Sequence, residues 1–484
     1  MRKYLPFIIA GLFHALCVSL LSHFSLTGLP NTGDEFALIF QSEIFSGFSL
    51  TAKAPPFPEM FQTHYLAINS DNWFSQYPPV FPLMILPGVL IGWPHLMVSL
   101  FAGLTLISLC LFLLRAFGED YRREVVIFSI LFSLSPTFLW HGSSYYNHIG
   151  SLFIFSLILH TCLGNKILHL AMLSLLFGLG VGIRPFTFFL IAFPVGFFLI
   201  RQKSIWNVKS MLSVTLPFLS LIFLISLYNF HLTGSWGDIA YLQAGNNYQK
   251  LSLSNFNISS LVRIGEMMEN TSRWLFSFGY FSLGSLRDID SSDINLGIIL
   301  YLLGAGWLLY RAIKTKESVT LLLVLSTLTI ICGHVFYDFR GGRFGERFFY
   351  ESNWIILFGL ILMLKELKKS GYFIVGLIIL CNFLYLPGTF KAYLAGNTRR
   401  MDPFIKVKAL EDEKIVIHLH QVPDFDVSFY TRNRPDLSGP IYVILSKDFN
   451  QVINHFKDRK HYLYSFDRKT NNSQLLPISD KLLP

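Results

Sequence analysis

The sequence contains eleven apolar runs, and most of them approach the length that an α-helix needs to cross a bilayer. A hydrocarbon core about 30 Å thick requires roughly 20 residues of helix. Few folds are open to such a chain, because in lipid every backbone polar group must be hydrogen-bonded within the protein. We therefore predict a polytopic α-helical membrane protein. The runs lie near 5–27, 94–115, 125–142, 148–163, 167–183, 186–201, 209–230, 294–311, 318–336, 351–364 and 371–388.

The composition agrees with a surface that lipid covers. Of the 484 residues, 52% are hydrophobic and only 14% are charged, whereas soluble domains carry about 25% charged residues. The net charge of +9 is typical of cationic loops that hold helix ends on the cytoplasmic side, so we expect no nucleic-acid partner. The five cysteines lie inside apolar runs and lack metal-ligand spacing, so we expect no disulfide framework.

The segment 79–92 decides the topology. It is short and contains three prolines, which suits either a spanning helix or a helix on the membrane surface. If it lies on the surface and the chain starts inside, the cationic loops all face the cytoplasm, as the positive-inside rule requires. We therefore predict eleven spans, with the N-terminus cytoplasmic and the C-terminus outside. The predicted cytoplasmic cations are Arg2, Lys3, Arg115, Arg122, Arg123, Lys166, Arg201, Lys203, Lys209, Arg311, Lys314, Lys316, Lys365, Lys368 and Lys369.

The tail of the chain differs from the rest of it. Two of its segments alternate apolar and polar residues, a pattern typical of strands, and a third resembles a short helix. We therefore predict a membrane domain over 1–388, whose outer loops carry interfacial helices, and a small α/β domain over 389–484 on the outer side. The tail segments are EKIVIHLHQV, IYVILS and QVINHFKDRK, and the outer loops are 28–93, 231–293 and 337–350.

Two adjacent carboxylates, Asp34 and Glu35, follow the first apolar run directly. Acidic residues at a helix exit often serve only to keep that end of the helix in water. Carboxylates that face an enclosed pocket instead suit a general base or a metal ligand. A second outer motif, QYPPVFP, places Tyr77 beside two prolines that stop a helix and fix a loop.

The turn HGSSYYNHIG joins two long apolar runs and contains Asn147 and His148. Polar residues in such a place must be solvated or paired. A single histidine there is more often structural. A second one at His141, on the same predicted side as the acidic loop, favours a functional interpretation.

The arginines on the predicted outer side run against the positive-inside trend. Arg184 ends an apolar run next to Pro185, where the alternative is a side chain that only reaches for the interface. Three more cluster in DFRGGRFGERFFYE with Glu346, where the alternative is an internal arginine–carboxylate network. Arginine forks match phosphate oxygens, so carboxylates and arginines around one pocket would suit a phosphate-bearing lipid. The three clustered arginines are Arg340, Arg343 and Arg347.

Four motifs in this order resemble the GT-C superfamily of membrane glycosyltransferases, above all the bacterial relatives of protein O-mannosyltransferases and of the lipid A aminoarabinose transferase. The resemblance spans residues 5 to 390. It departs from the family where Asn147 and His148 replace a frequent aspartate, and where Phe348 replaces the usual tyrosine. The motifs are GDEFALIFQSEIFSG, QYPPVFPLMILPGVLIG, SPTFLWHGSSYYNHIGSLF and GERFFYESNWIILF.

The resemblance implies a GT-C bundle in the bacterial inner membrane and an inverting glycosyltransferase. This enzyme would move a sugar from a polyprenyl-phosphate donor to an acceptor glycan, lipid or protein on the periplasmic face. Asp34 would act as general base or position the acceptor, and Glu35 would support it. If a divalent metal is bound, Glu35 and His148 are its candidate ligands. The donor phosphate would bind Arg184, Arg340, Arg343 and Arg347, and the pocket would include Tyr77, Asn147, His148 and Glu346.

Two other functions stay open. A transporter or flippase for a lipid-linked or anionic substrate also needs an arginine-lined cavity, but it predicts charges and broken helices near mid-membrane. A non-catalytic assembly factor for surface polysaccharide would carry its function in the tail and would tolerate substitution of the loop carboxylates. Covalent transfer of a sugar distinguishes the first prediction from both alternatives.

Overall fold

The computed structural model divides the chain into two compact units, which we call the helical unit and the mixed unit. The helical unit comprises Met1–Ser25, His95–Leu224 and Leu251–Ala392. The mixed unit comprises Leu26–Pro94, Ile225–Lys250 and Tyr393–Pro484. The structure describes residues 2–26, 28–61, 63, 65–69, 71–164, 166–203, 207–236, 238–243, 264–276, 296–336, 347–419, 432–445, 449–467 and 472–478.

Seventeen α-helices occur within these ranges, and each of the eleven apolar runs forms helix there. The prediction of a polytopic helical membrane protein is confirmed. The helices are α1 Leu5–Ser25, α2 Gly33–Ser46, α3 Val80–Leu90, α4 Pro94–Phe117, α5 Arg122–Leu134, α6 Pro136–Gly142, α7 His148–Cys162, α8 Ile167–Val181, α9 Pro185–Arg201, α10 Val208–Thr233, α11 Ala240–Gln243, α12 Ile264–Phe276, α13 Leu296–Thr315, α14 Ser318–Val335, α15 Tyr350–Glu366, α16 Lys368–Lys408 and α17 Phe449–His455.

Seven helices in the described part of the chain are long and apolar enough to cross a membrane. The run 125–142 forms α5 and α6, which meet at an angle of 59°. Ser135 between them is extended, with a ψ of 124°, because a proline at the next position disfavours helical dihedrals. Helices α7, α8 and α9 are apolar but shorter, so the count of eleven spans stays a prediction. The seven are α1, α4, α10, α13, α14, α15 and the Lys368–Lys391 part of α16.

The ambiguous segment 79–92 forms α3, an apolar helix of 11 residues. At 1.5 Å per residue its axis is about 16 Å long, roughly half the thickness of a bilayer core. Helix α3 is therefore too short to span a membrane in one straight piece. Its position along the outer surface stays a prediction.

Helix α15 forms the centre of the helical unit. Nearly all of its side chains are buried, and it packs against α5, α7, α13 and α14. It meets α13 at two glycines, since a Cβ atom on Gly304 would lie 2.5 Å from the carbonyl oxygen of Ile356, and one on Gly359 would lie 2.5 Å from that of Gly304. Small residues of this kind let membrane helices approach through their backbones. Helix α15 thus buries its first residues, Tyr350 and Glu351, in the protein interior.

The mixed unit contains two sheets, built from β1 Ala52–Lys53, β2 Leu66–Ile68, β3 Asn72–Ser75, β4 Ile415–Leu419, β5 Ile441–Ile444, β6 Lys460–Asp467 and β7 Asn472–Pro477. The smaller sheet is antiparallel, with β3 between β1 and β2. The larger has the order β5-β4-β6-β7, with β4 parallel to β5 and β6, and β7 antiparallel to β6. The predicted tail strands form β4 and β5, and the predicted helix overlaps α17, so the small α/β tail is confirmed.

The larger sheet is covered on both faces. Along β4 the side chains alternate, so that Val416 packs in a core with α2, whereas Ile415 and Ile417 pack in a core with α16. Strand β5 repeats the pattern, with Ile441 in the first core and its neighbour Tyr442 in the second. One hydrophobic core therefore joins the acidic helix α2 to the tail. The predicted domain boundary after residue 388 falls within α16, and this division of the chain stays a prediction.

Candidate functional site

The acidic pair lies in the first turn of α2, and its local sequence explains why the helix starts there. Thr32 is the N-cap, with extended backbone, and its hydroxyl accepts the backbone N–H of Glu35 at 3.4 Å. The same hydroxyl donates to Oε1 of Glu35 at 3.0 Å. This is a variant of the Thr-x-x-Glu capping box. The Glu35 side chain is buried, and its hydrogen bond to Thr32 helps to hold the start of α2.

Asp34 accepts a hydrogen bond from the hydroxyl of Tyr77. Tyr77 is largely buried and stacks on Tyr65, with ring centroids 6.2 Å apart, while Tyr241 meets it edge-on at 6.3 Å. Burial, together with the charge of Asp34, raises the pKa of Tyr77 well above its ordinary value. Tyr77 therefore keeps its proton at neutral pH and holds the Asp34 carboxylate in one orientation.

A buried glutamine fixes the segment that carries Tyr77. Gln41 of α2 accepts the backbone N–H of Ser75 at 2.9 Å and donates to the carbonyl oxygen of Leu50 at 3.0 Å. Ser75 in turn accepts the backbone N–H of Tyr77 at 3.2 Å. The helix that carries Asp34 thus also holds its hydrogen-bond partner in place.

Arg184 occupies the second candidate group, which lies in the helical unit. It precedes Pro185 at the start of α9, with non-helical backbone, as expected before a proline. Its guanidinium donates from Nη1 to Oε1 of Glu351 at 2.5 Å and to Nδ1 of His148 at 2.5 Å. Arginine has only donors, so Nδ1 of His148 accepts and the ring proton lies on Nε2. All three side chains are buried.

Aromatic and polar side chains surround this trio. The His141 ring lies 4.6 Å from that of Tyr350 and 5.3 Å from that of His148. His334 stacks on Phe348 at 5.1 Å. Among the described residues, the buried Tyr350 hydroxyl, Oε2 of Glu351 and Nδ1 of His334 have no hydrogen-bond partner. Buried polar atoms are rarely left unpaired, so this part of the helical unit has hydrogen-bonding capacity for a ligand.

Arg347 lies next to this group, just before α15. Its guanidinium carbon is 4.9 Å from the ring centre of Tyr146 and 5.6 Å from that of Phe348. Such cation–π contacts hold the charge over the aromatic faces. Arg184 makes a similar contact with Phe348 at 5.7 Å. The guanidinium groups of Arg184 and Arg347 thus both lie over the Phe348 ring, and Arg184 also pairs with Glu351.

Of the other predicted site residues, Asn147 is described by the structure and three are not. Asn147 donates to the carbonyl oxygen of Ile183 at 3.1 Å, so it ties the turn before α7 to the residue that precedes Arg184. Arg340, Arg343 and Glu346 lie outside the described residues. The roles assigned to the site residues stay predictions.

A metal site is not formed by the part of the chain that the structure describes, where no three His, Cys, Asp or Glu side chains come together. Nδ1 of His148 already accepts from Arg184, and a positive charge beside it disfavours a cation. Glu35 is bonded to its helix cap. These residues do not fit a divalent metal, and no catalytic step is assigned to one.

Glu351 is the last residue of the arginine-rich motif DFRGGRFGERFFYE, but no role was predicted from the sequence for Glu351, Tyr350 or His334. Glu351 is 167 positions from Arg184 in the chain, so no local pattern links them. The available signal was a carboxylate in the first turn of an apolar helix, which must be paired if it is buried. Nε2 of His334 lies within hydrogen-bond distance, 3.3 Å, of the Thr187 hydroxyl. This contact also joins two helices, α14 and α9, that are far apart in the sequence.

The fold matches that of ArnT from Cupriavidus metallidurans bound to undecaprenyl phosphate, with a TM-score of 0.57 and 9% identity over 93% of this chain and 92% of that one. The same protein in the apo state matches with a TM-score of 0.51 and 12% identity over 94% and 92%. ArnT, the lipid A aminoarabinose transferase, is a GT-C glycosyltransferase. This chain has the GT-C fold.

The GT-C fold confirms the resemblance that the four sequence motifs predicted. No family model matches the sequence, and no curated protein matches it significantly. At identities of 9% and 12% the likeness concerns the fold alone. The roles of Asp34 and Arg184 therefore rest on their own surroundings in this chain.

Proposed function

We propose that the protein is a glycosyltransferase that moves a sugar from a polyprenyl-phosphate donor to an acceptor on the outer face of the membrane. The observation that carries the proposal is the buried Arg184 guanidinium in a chain with the GT-C fold, near polar atoms of Tyr350, Glu351 and His334 that have no hydrogen-bond partner among the described residues. A structure of ArnT, which has this fold, contains undecaprenyl phosphate. A lipid phosphate is the ligand that a buried arginine beside an apolar bilayer suits best.

Charge changes in the reaction explain why an arginine is useful there. A polyprenyl-phosphate sugar is a phosphodiester with one negative charge. When its bond to the anomeric carbon breaks, the leaving lipid phosphate carries a second charge. A fixed guanidinium therefore binds the transition state more tightly than the donor, which is the condition for catalysis. Glu351 and His148 hold Arg184 in place through the contacts described above, so little reorganisation is needed.

Asp34 takes the proton in this reaction. The acceptor hydroxyl or amine attacks the anomeric carbon from the side opposite the phosphate, forms the new glycosidic bond and passes its proton to the Asp34 carboxylate. The configuration at the anomeric carbon is inverted because the displacement occurs once. Tyr77 supports the step because its hydroxyl fixes one carboxylate orientation, and a general base must lie within hydrogen-bond reach of the proton it removes.

We further propose that the protein lies in a bacterial inner membrane with its N-terminus cytoplasmic and its tail domain periplasmic. Contacts within the helical unit support a cytoplasmic N-terminus. Loops that carry predicted cytoplasmic cations contact one another. An end of the unit rich in lysine and arginine agrees with the positive-inside rule. The contacts are Arg122 to the carbonyl oxygen of Lys3 at 2.7 Å, Arg115 to that of His160 at 3.2 Å, Arg201 to that of Lys316 at 3.1 Å and Arg311 to the Tyr121 hydroxyl at 3.1 Å.

The test is a comparison of cells with and without the protein. Mass spectrometry of lipids, surface glycans and envelope proteins should show one added sugar on one class of acceptor only in cells that make it. The lipid-linked donor should accumulate in cells that lack it. Vesicle flux of a lipid-linked substrate without any covalent product would instead identify a transporter or flippase and would overturn the proposal.

A further inference from the structure

The C-terminal sheet is part of the structure that holds the acidic helix α2. Helix α2 contributes Phe36, Phe40 and Ile44 to the hydrophobic core that also contains Val416 and Ile441 of the sheet. Positions spaced by four residues lie on one face of a helix, so this stripe is the surface that α2 turns toward the core it shares with β4 and β5. Trp73, on the strand just before Tyr77, belongs to the same core and is fully buried.

Asp34 lies on a different face of α2 from that stripe. At 100° per residue, Phe36, Phe40 and Ile44 point about 200° to 280° around the helix from Asp34. The stripe that α2 contributes to the core shared with the sheet therefore lies on the other side of the helix from Asp34, while Tyr77 packs against the same core. A shift of this stripe would move Asp34 relative to its partner, because a helix turns as a rigid body.

The loop that leads into β5 also contributes to the core that contains α2. Asn433 donates to the carbonyl oxygen of Tyr442 at 2.8 Å and accepts its N–H at 2.7 Å. Arg459 donates to the carbonyl oxygens of Leu437 at 2.9 Å and Gly439 at 2.7 Å. Leu437, held in the left-handed region with a φ of 55°, packs against the α2 core. The loop is thus fixed by hydrogen bonds to its own domain and contributes an apolar side chain to that core.

The same loop carries two charges that act on the last turn of α2. Burial and the charge of Asp436 raise the pKa of Glu43 to about 7, while Arg434 opposes the shift. Glu43 thus lies within electrostatic reach of Arg434 and Asp436 in the tail. The far face of the sheet packs on Met401, Phe404 and Val407 of α16, so the sheet is held from behind as well.

We propose that the C-terminal domain is the positioning element of the acidic helix: the face of the sheet formed by Val416, Ile441 and Val443 fixes the orientation of α2 and with it the carboxylate of Asp34. This inference rests on the proposed function, in which Asp34 is the base. It assigns the tail a role in the chemical step. If the tail were an independent domain that only binds the acceptor, loosening the core of the tail would leave α2 unchanged.

The chain offers a matched pair of variants for the test. Ile441 and Ile417 are both fully buried on neighbouring strands, but Ile441 faces α2 and Ile417 faces α16. Ile441→Ala and Ile417→Ala make the same change in the full-length protein. Hydrogen exchange of the backbone amides in residues 33–46 reports how often α2 opens locally, and this measurement does not depend on enzymatic activity.

We expect Ile441→Ala to raise the exchange rate of α2 about tenfold, as a large-to-small change in its supporting core should, and Ile417→Ala to leave it within about twofold. Equal exchange in the two variants, or an unchanged rate in Ile441→Ala, would overturn the proposal. If Ile441→Ala does not fold, the milder pair Ile441→Val and Ile417→Val gives the same comparison with a smaller difference.

Activity provides the second readout, and it separates positioning from simple loss of folded protein. Ile441→Ala should lower kcat about tenfold at an unchanged KM for the lipid-linked donor, and Ile441→Val should restore most of kcat. A fall in the active fraction alone, with kcat per folded molecule intact, would show a merely structural role. If wild type itself transfers no sugar, the proposed function fails, while the exchange comparison still decides whether the sheet positions α2.

Discussion

The two candidate groups are built in opposite ways. Asp34 is part-exposed and lies at a helix start whose capping residues are three positions apart. Arg184 is buried, and its partners Glu351 and His148 lie 167 and 36 positions away in the chain. The first group is set mainly by local sequence and the second by the packing of distant helices. Substitutions should therefore affect activity and stability in different proportions in the two groups.

The largest expected effect is that of Asp34→Asn. Removal of a general base costs a factor of about 10³ in kcat, while the loss of one carboxylate from a helix N-terminus costs at most about 1 kcal/mol of stability. We expect a folded, nearly inactive protein, measured by steady-state transfer and by thermal unfolding in detergent. Full activity in this variant would remove Asp34 from the mechanism.

Arg184→Gln should affect both properties. Loss of one electrostatic contact to the leaving phosphate lowers kcat by a factor of about 10². Without Arg184 the fully buried Glu351 keeps an uncompensated charge, which costs about 3 kcal/mol of stability. The double variant Arg184→Gln/Glu351→Gln should therefore regain stability but not activity.

A matched control for Arg184 is Arg311→Gln at the predicted cytoplasmic end, where Arg311 pairs with Glu317 at 3.3 Å. This variant should keep its kcat. If Arg184→Gln loses only stability, or if the double variant recovers full activity, Arg184 is a structural partner of Glu351 and does not bind the donor phosphate.

Much of the fold was predictable from the sequence because hydrophobic length and strand alternation are local properties. The eleven apolar runs, which form α1, α4 to α10 and α13 to α16, and the strands β4 and β5 all follow from neighbouring residues. The Arg184–Glu351 pair was not predictable, because it depends on which helices pack together. The shared core of α2 and β5 was also missed, since the sequence suggested that the tail is a separate domain.

Tyr77→Phe should have an intermediate effect. It removes the hydrogen bond to Asp34, and a hydrogen bond to a charged group contributes about 1.5–3 kcal/mol, so kcat should fall at least about tenfold. The matched control is Tyr228→Phe in the same unit, because the buried Tyr228 hydroxyl has no hydrogen-bond partner in the described part of the chain. Equal kcat values in the two variants would show that Tyr77 does not orient Asp34.

The smallest expected effect is a pH dependence of the mixed unit. Burial raises the pKa of Glu43 to about 7 from 4.5, so the folded protein keeps a proton that the unfolded chain releases. Stability should therefore fall as pH rises from about 5 to about 7 and then level off. Protection factors of the α2 amides should fall severalfold over this range, and Glu43→Gln should remove that slope. A slope that persists in Glu43→Gln would assign it to another group.

The central claim is that sugar transfer from a lipid phosphate uses Asp34 and Arg184 together. The most direct measurement is transfer of a labelled sugar from a polyprenyl-phosphate donor by the purified protein in liposomes, with envelope extract from cells that lack the protein as acceptor. The account predicts an inverted glycosidic product with wild type and Arg311→Gln, and losses of about 10³ and 10² in Asp34→Asn and Arg184→Gln. Equal product from all four proteins, or none from wild type, would contradict it.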